Sequence, residues 1–284
     1  HSVLRGLMLV MLAATLALGL PAAAQTPDVP EAASTKEPAV FAKAPALKPL
    51  RLMKLEKTPQ SVKSGTVTFR LAPRSSAPAE GGRVEILLEG KAIWTRKVEP
   101  QTVLLLVDIN RDGLAEAVVD QFSGGAHCCH SNLLLQVNPK SRTVRTLLDW
   151  NGQEAALAGA QFRMLSRGKY AEILTYDCRF RYFDDLPFSD SPLTLKIFTY
   201  KGGSYIPATA LFPDAVRGYS QGVSPGLDKK NGEVKLAREN LAKAPDSPDA
   251  QMDVVIALHT VEGAALELYV YGVLLDEKDQ VLRN

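Results

Sequence analysis

Cysteine is scarce, with only Cys128, Cys129 and Cys178 in 284 residues, too few for a small fold stapled by disulfides. An excess of one charge is lacking too: 33 Lys and Arg stand against 31 Asp and Glu, a net of +2. That balance excludes the basic footprint of a nucleic-acid binder or an anionic-membrane binder. Aromatic residues make up 7%, and the apolar stretch from Leu7 to Leu20 falls short of the roughly 20 residues that cross a hydrocarbon core. The chain has no Gly-x-Ser-x-Gly elbow, no phosphate loop and no His-Glu-x-x-His. Ser123-Gly124-Gly125 lacks the glycine that an elbow needs before the serine. The sequence therefore leans away from an enzyme without deciding the matter. What is present is an ordinary globular composition, 46% hydrophobic and 23% charged, with a soft prior of one or two domains.

Arg5, the apolar stretch and the small residues Ala22-Ala23-Ala24 compose a secretory signal over residues 1–24. The mature chain is expected to start at Gln25, to be periplasmic or secreted, and to keep no stable membrane insertion after cleavage. Residues 25–60 hold six prolines, no glycine and one aromatic, and read as a disordered Pro/Ala/Lys-rich tether. Residues 61–213 read as a β domain and residues 214–284 as a helical C-terminal segment.

The β reading rests on short apolar or alternating runs between turn residues. It predicts strands at 66–71, 83–88, 92–98, 103–107, 117–122, 132–137, 143–148, 162–165, 171–176, 194–200 and 204–208. Tight reversals are expected at Glu89-Gly90, Asn138–Ser141 and Gly202-Gly203. Ala115-Glu116 lies over Ala171-Glu172 as a weak internal repeat. The fold class is thus mainly β: a partial β-propeller-like sheet, or a meander or sandwich, of two to three units. In the helical segment, Leu227 to Ala244 and Pro248 to Leu275 show helical content, and Ser247-Pro248 is a good helix start. Val254, Leu258, Val261, Ala265, Leu268 and Leu275 give one apolar face, with Gly263 and Gly272 as breaks or kinks.

The strongest local signal is Asp108-Ile109-Asn110-Arg111-Asp112-Gly113-Leu114-Ala115-Glu116 between two strands. The side-chain oxygens of Asp108, Asn110, Asp112 and Glu116, with the Leu114 carbonyl, form a donor set for a hard cation such as Ca²⁺, and Gly113 permits the sharp turn. The stretch from Val107 to Val119 resembles the Asp-x-Asn-x-Asp-Gly loop of FG-GAP-type repeats in integrin-like propellers, which implies one structural Ca²⁺. The second unit offers only Arg167 to Glu172, with no ladder of carboxylates. The wider run through Gly124-Gly125-Ala126-His127-Cys128-Cys129 resembles exported bacterial proteins that share this motif and whose function the resemblance does not supply.

His127, Cys128, Cys129 and His130 are four soft ligands without a gap. On a strand they point alternately to two faces and do not make one tetrahedral cage. Zn²⁺ or Cu is an alternative cofactor here, and thiol-redox chemistry an alternative activity. A structural disulfide of Cys178 with Cys128 or Cys129, or a vicinal Cys128–Cys129 bond, competes for the same thiols. The expected role is a non-catalytic binding or scaffold module, whose partner is an unidentified protein or cell-envelope ligand.

Overall fold

The structure, a computed structural model, describes residues 41, 44, 46–75, 78–124, 130–152, 157–177, 179–180, 182, 186–187 and 190–281, with the backbone alone for 151–152, 224–225 and 276–281. The signal segment, the tether up to residue 40, His127 and all three cysteines lie outside these residues.

The chain is mainly β, with three antiparallel sheets followed by two C-terminal helices. Strands β2 (Gln60–Ser64), β3 (Val67–Pro73), β4 (Gly82–Leu88) and β5 (Lys91–Val98) form the first sheet in chain order. The second contains β6 (Gln101–Val107), β7 (Glu116–Phe122), β8 (His130–Asn138) and β9 (Thr143–Gly152), with β1 (Arg51–Lys54) added beside β6. The third contains β10 (Gln161–Arg163), β11 (Glu172–Asp177), β12 (Thr194–Lys201) and β13 (Ser204–Pro207). Each sheet is a meander of four consecutive strands, and the three units are joined end to end in sequence.

The period of two along a strand explains how the sheets stack. In the middle sheet Leu104, Leu106, Ala117, Val119, Leu133 and Leu135 face a core shared with Val67, Phe69, Val84 and Ile86 of the first sheet. The alternate residues Leu105, Val107, Val118 and Leu134 face a second core with Phe162, Ile173 and Phe198 of the third sheet. A sheet covered on both faces needs apolar residues at every position, hence the unbroken runs Val103–Val107 and Leu133–Leu135. The third sheet turns Leu174, Leu195 and Ile197 the other way, onto Phe41, Ala215, Val216 and Tyr271. Buried side chains of this size contribute roughly 1.5–3 kcal/mol each.

The turns form as their residues require. Glu89 and Gly90 have φ of 53° and 79°, and Gly202 and Gly203 have 60° and 102°, the paired left-handed conformations of a two-residue hairpin. Asn138 Oδ1 accepts the N–H groups of Lys140 and Ser141 in the third reversal.

Three segments differ from the sequence reading. β2, at Gln60–Ser64, lies where no strand is expected and pairs antiparallel with Val67–Leu71 of β3. Arg51–Lys54, inside the expected tether, is strand β1, paired antiparallel with Val103–Leu106 of β6. Only Met53 among its residues is buried, so no alternation marks it. Further upstream, Leu47 N donates to Phe162 O and Arg163 Nη1 donates to Ala44 O, with the guanidinium 4.6 Å from the Phe41 ring centroid. Phe41, Ala44 and residues 46–55 thus strap the first strands of the second and third units. The helices α1 (Pro213–Lys243) and α2 (Pro248–Val281) are 31 and 34 residues long. α1 begins well before Leu227, since Ala215, Val216, Tyr219 and Val223 pack against the third sheet and outweigh the local cost of Gly218, Gly222 and Pro225. Ser247 Oγ accepts the Ala250 N–H at the start of α2, as a capping side chain should.

Neither Gly263 nor Gly272 interrupts α2. Gly263 lies against the Asp190 backbone, where a Cβ would strike the carbonyl oxygen, whereas a Cβ on Gly272 meets nothing within 4 Å. G263A should therefore cost about 1–3 kcal/mol, while G272A should gain about 0.5–1 kcal/mol by restraining the unfolded chain. Urea unfolding of both variants checks the pair; equal effects would refute the close approach at Gly263.

Candidate functional site

The β6–β7 loop wraps around its own side-chain oxygens. Asp108 Oδ1 accepts the Asp112 N–H at 3.1 Å and Oδ2 accepts the Gly113 N–H at 2.9 Å. Asn110 Oδ1 also accepts from Asp112 N at 3.0 Å, and Asp112 Oδ1 accepts from Leu114 N at 2.9 Å. The Asn110 amide donates to Asp112 Oδ2 at 2.9 Å. Arg111 and Gly113 take left-handed φ of 57° and 88° to close the turn. Asp108, Asn110 and Asp112, expected from sequence to converge, are thus brought together.

Among the described residues no three His, Cys, Asp or Glu side chains stand close enough together to hold a metal ion. A cation on this loop would draw on the Asp108 and Asp112 carboxylates, the Asn110 amide oxygen and the Leu114 carbonyl. All of these are hard oxygen donors, the set that suits Ca²⁺ rather than a soft metal.

Glu116, the last residue of the expected set, has a second engagement. It is 2% exposed; Oε2 accepts the Ile109 N–H at 2.9 Å and Oε1 accepts from Gln136 Nε2 at 2.9 Å. Burial is the main reason that its pKa is pushed up to about 7; the two hydrogen bonds oppose the rise, and Asp112 and Asp108 nearby add to it.

The internal repeat reappears here as chemistry. Glu172 opens β11 as Glu116 opens β7, and its Oε2 accepts the N–H of Leu165, seven residues back, at 2.7 Å, as Glu116 does from Ile109. Ser166 adds N–H and Oγ–H donors to the Glu172 carboxylate. The alanine before each glutamate reaches the preceding unit: Ala115 N donates to Ser64 Oγ and Ala171 N donates to Ile109 O.

Residues that the sequence did not single out join these loops. Gln136 Nε2 also reaches Tyr170 Oη at 3.1 Å. Tyr170 stacks on Tyr200 with centroids 3.8 Å apart, and Tyr205 Oη donates to Ala171 O at 2.7 Å. Burial pushes the Tyr205 phenol far above its ordinary range, which keeps it a donor.

Of the soft-ligand run, only His130 is described. Its Nδ1 lies 2.7 Å from Oδ1 of Asp120, which is 3% exposed, while Asp120 Oδ2 accepts the Ala158 N–H at 2.9 Å. The ring packs on Phe122 at 4.9 Å. This contact engages Nδ1 of the ring and not Nε2. Asp177, next to Cys178, carries Arg179 at 2.6 Å and Lys196 at 3.2 Å. Burial alone would raise its carboxyl, but these two cations outweigh burial and hold it below the usual carboxylate range.

No family model, curated protein or solved structure matches the chain.

The raised Glu116 pKa has a signed consequence. The native state holds this proton more tightly than the unfolded chain does, so the stability it confers is full below about pH 4.5 and declines as pH rises toward about 7. In chelator, wild type should lose up to about 3 kcal/mol across that window relative to E116Q, which has no proton to lose. Urea midpoints of both proteins between pH 4.5 and 8 measure it; parallel curves would remove Glu116 as the cause.

Proposed function

We propose that the chain is a non-catalytic binding or scaffold module of the periplasm or the secreted fraction. In this reading its three meanders form a partial propeller steadied by one Ca²⁺ on the Asp108–Glu116 loop. The observation that supports the reading is that the Asp108, Asn110 and Asp112 oxygens are gathered within one loop, where they accept that loop's own N–H groups, beside the contacts that Ala115 and Ile109 make with the neighbouring units. A cation there would be a clamp and not a reagent. The engagements of Glu172 by Leu165 and Ser166, and of Asp177 by Arg179 and Lys196, support a structural use for the other buried acids. The partner is an unidentified protein or cell-envelope ligand.

Added calcium should raise the melting temperature of the chelator-treated chain by about 5–10 °C at hundredfold saturation, and D108A/D112A should abolish the rise. A wild-type melt that calcium leaves unmoved would overturn the clamp.

The Asp120–His130 pair favours a second reading, a transition-metal or thiol-redox protein, because a carboxylate on one imidazole nitrogen is the usual support of a metal-ligating histidine. Its other candidate ligands or thiols are His127, Cys128 and Cys129. Stabilisation by zinc or copper, lost in H130A and absent with calcium, would replace the first reading with this one.

A further inference from the structure

One face of α2 carries a regular pattern that the described residues leave largely exposed. Met252, Val255, His259, Glu262, Leu266, Tyr269 and Val273 follow each other at alternating spacings of three and four residues, the seam of a two-stranded coiled coil. The seam spans three heptads, the length at which this pattern becomes a meaningful signal, and about 32 Å of helix. Met252 is 58% exposed, Val255 45%, Tyr269 69% and Val273 38%. Glu262 is exposed as well, and His259 and Leu266 are half-buried. The other sides of α2 are committed: Gly263 lies against Asp190, Tyr271 Oη accepts the Leu195 N–H and donates to Glu267, and Lys230 of α1 donates to Thr260 O.

We propose that this seam is a homodimer interface, in which α2 pairs antiparallel with α2 of a second copy about a two-fold axis between His259 and Glu262. This goes beyond the scaffold reading and does not depend on the calcium loop. Complementarity of a histidine ring with a carboxylate acceptor selects the occupant and the register. In an isologous antiparallel pair each residue meets its counterpart reciprocally. The register that sets His259 of one copy against Glu262 of the other also sets Val255 against Leu266 and Met252 against Tyr269. The two polar residues at the centre of the seam then satisfy each other twice, with apolar pairs on both sides. Buried polar residues in a coiled-coil seam fix register in this way.

A bilayer is the competing occupant, since Pro248–Leu275 is long and apolar enough to cross a membrane by length and composition. Spanning would tear Gly263, Tyr271 and Thr260 from their partners and place Glu262 and Glu267 in hydrocarbon, whereas a second copy supplies His259 to Glu262 and leaves those contacts intact.

Sedimentation equilibrium of the full chain tests the proposal. Wild type should sediment at twice its 30.8 kDa, with a melting temperature that rises with protein concentration. V255E should weaken association by about 100-fold or more. H259E, which sets like charges across the axis, should weaken it about 10-fold, and H259E/E262H should recover to within about 3-fold of wild type. The last two variants leave every apolar residue of the seam in place, so they remain informative if V255E does not fold. A monomeric wild type at about 100 µM, a dimer indifferent to V255E, or a double variant no better than H259E would each overturn the proposal. A monomeric wild type that floats with phosphatidylcholine vesicles, and loses that property in V255E, would overturn it in favour of the bilayer.

Discussion

The middle sheet is buried on both faces, and most of the structure answers that constraint. A strand covered from two sides cannot use the usual alternation of polar and apolar residues, so β6, β7 and β8 carry unbroken apolar runs at Val103–Val107, Ala117–Val119 and Leu133–Leu135. The buried polar residues that remain there, Thr102, Glu116, Asp120, Gln121 and Asn132, sit among groups that also need partners. Their hydrogen bonds define the neighbouring loops: Glu116 holds the start of the Asp108 loop, while Asp120 and Asn132 hold the turn at Leu157 and Ala158. Unpaired, each would cost about 1–3 kcal/mol or more, so position along the sheet and loop conformation are fixed together.

The same device occurs twice with different outcomes. Glu116 and Glu172 stand at the first position of a second strand and tie down the backbone seven residues earlier. Around Glu172 the donors are plentiful, with two N–H groups and a serine hydroxyl. Around Glu116 they are fewer and two carboxylates stand nearby, which is why burial moves its proton affinity so far. The two units share the backbone anchor and differ in their loops: one reads Asp-x-Asn-x-Asp, the other Arg167-Gly168-Lys169.

The strands of the three meanders were largely legible because pairing and burial leave local marks, such as Val103–Val107 between turn residues or Glu89-Gly90 at a reversal. β1 was not, because an edge strand that buries only Met53 leaves no periodic mark; β6 makes it a strand. The first half of α1 was hidden for a related reason: its glycines and Pro225 argue against a helix, and only the sheet beneath Ala215, Val216 and Tyr219 reverses that. At the site, Asp108, Asn110 and Asp112 were legible from spacing alone. Asp120 and Gln136 were not, since their partners His130, Ala158 and Tyr170 are joined to them by tertiary structure and not by any local pattern.

The helical hairpin shows the same limit from the other side. Val254, Leu258, Val261 and Leu268 mark the half-buried side of α2, and periodicity finds them because burial within one chain imposes it. α2 has a second apolar stripe rotated from the first, so it is not amphipathic in the ordinary sense: apolar residues lie on nearly every side. A helix of that kind is stable in water only when more than one surface covers it. The sheet and α1 supply two of those surfaces. The His259–Glu262 pair at the centre of the remaining stripe then decides between partners: lipid would leave both groups unmatched, and an identical helix running the other way matches both.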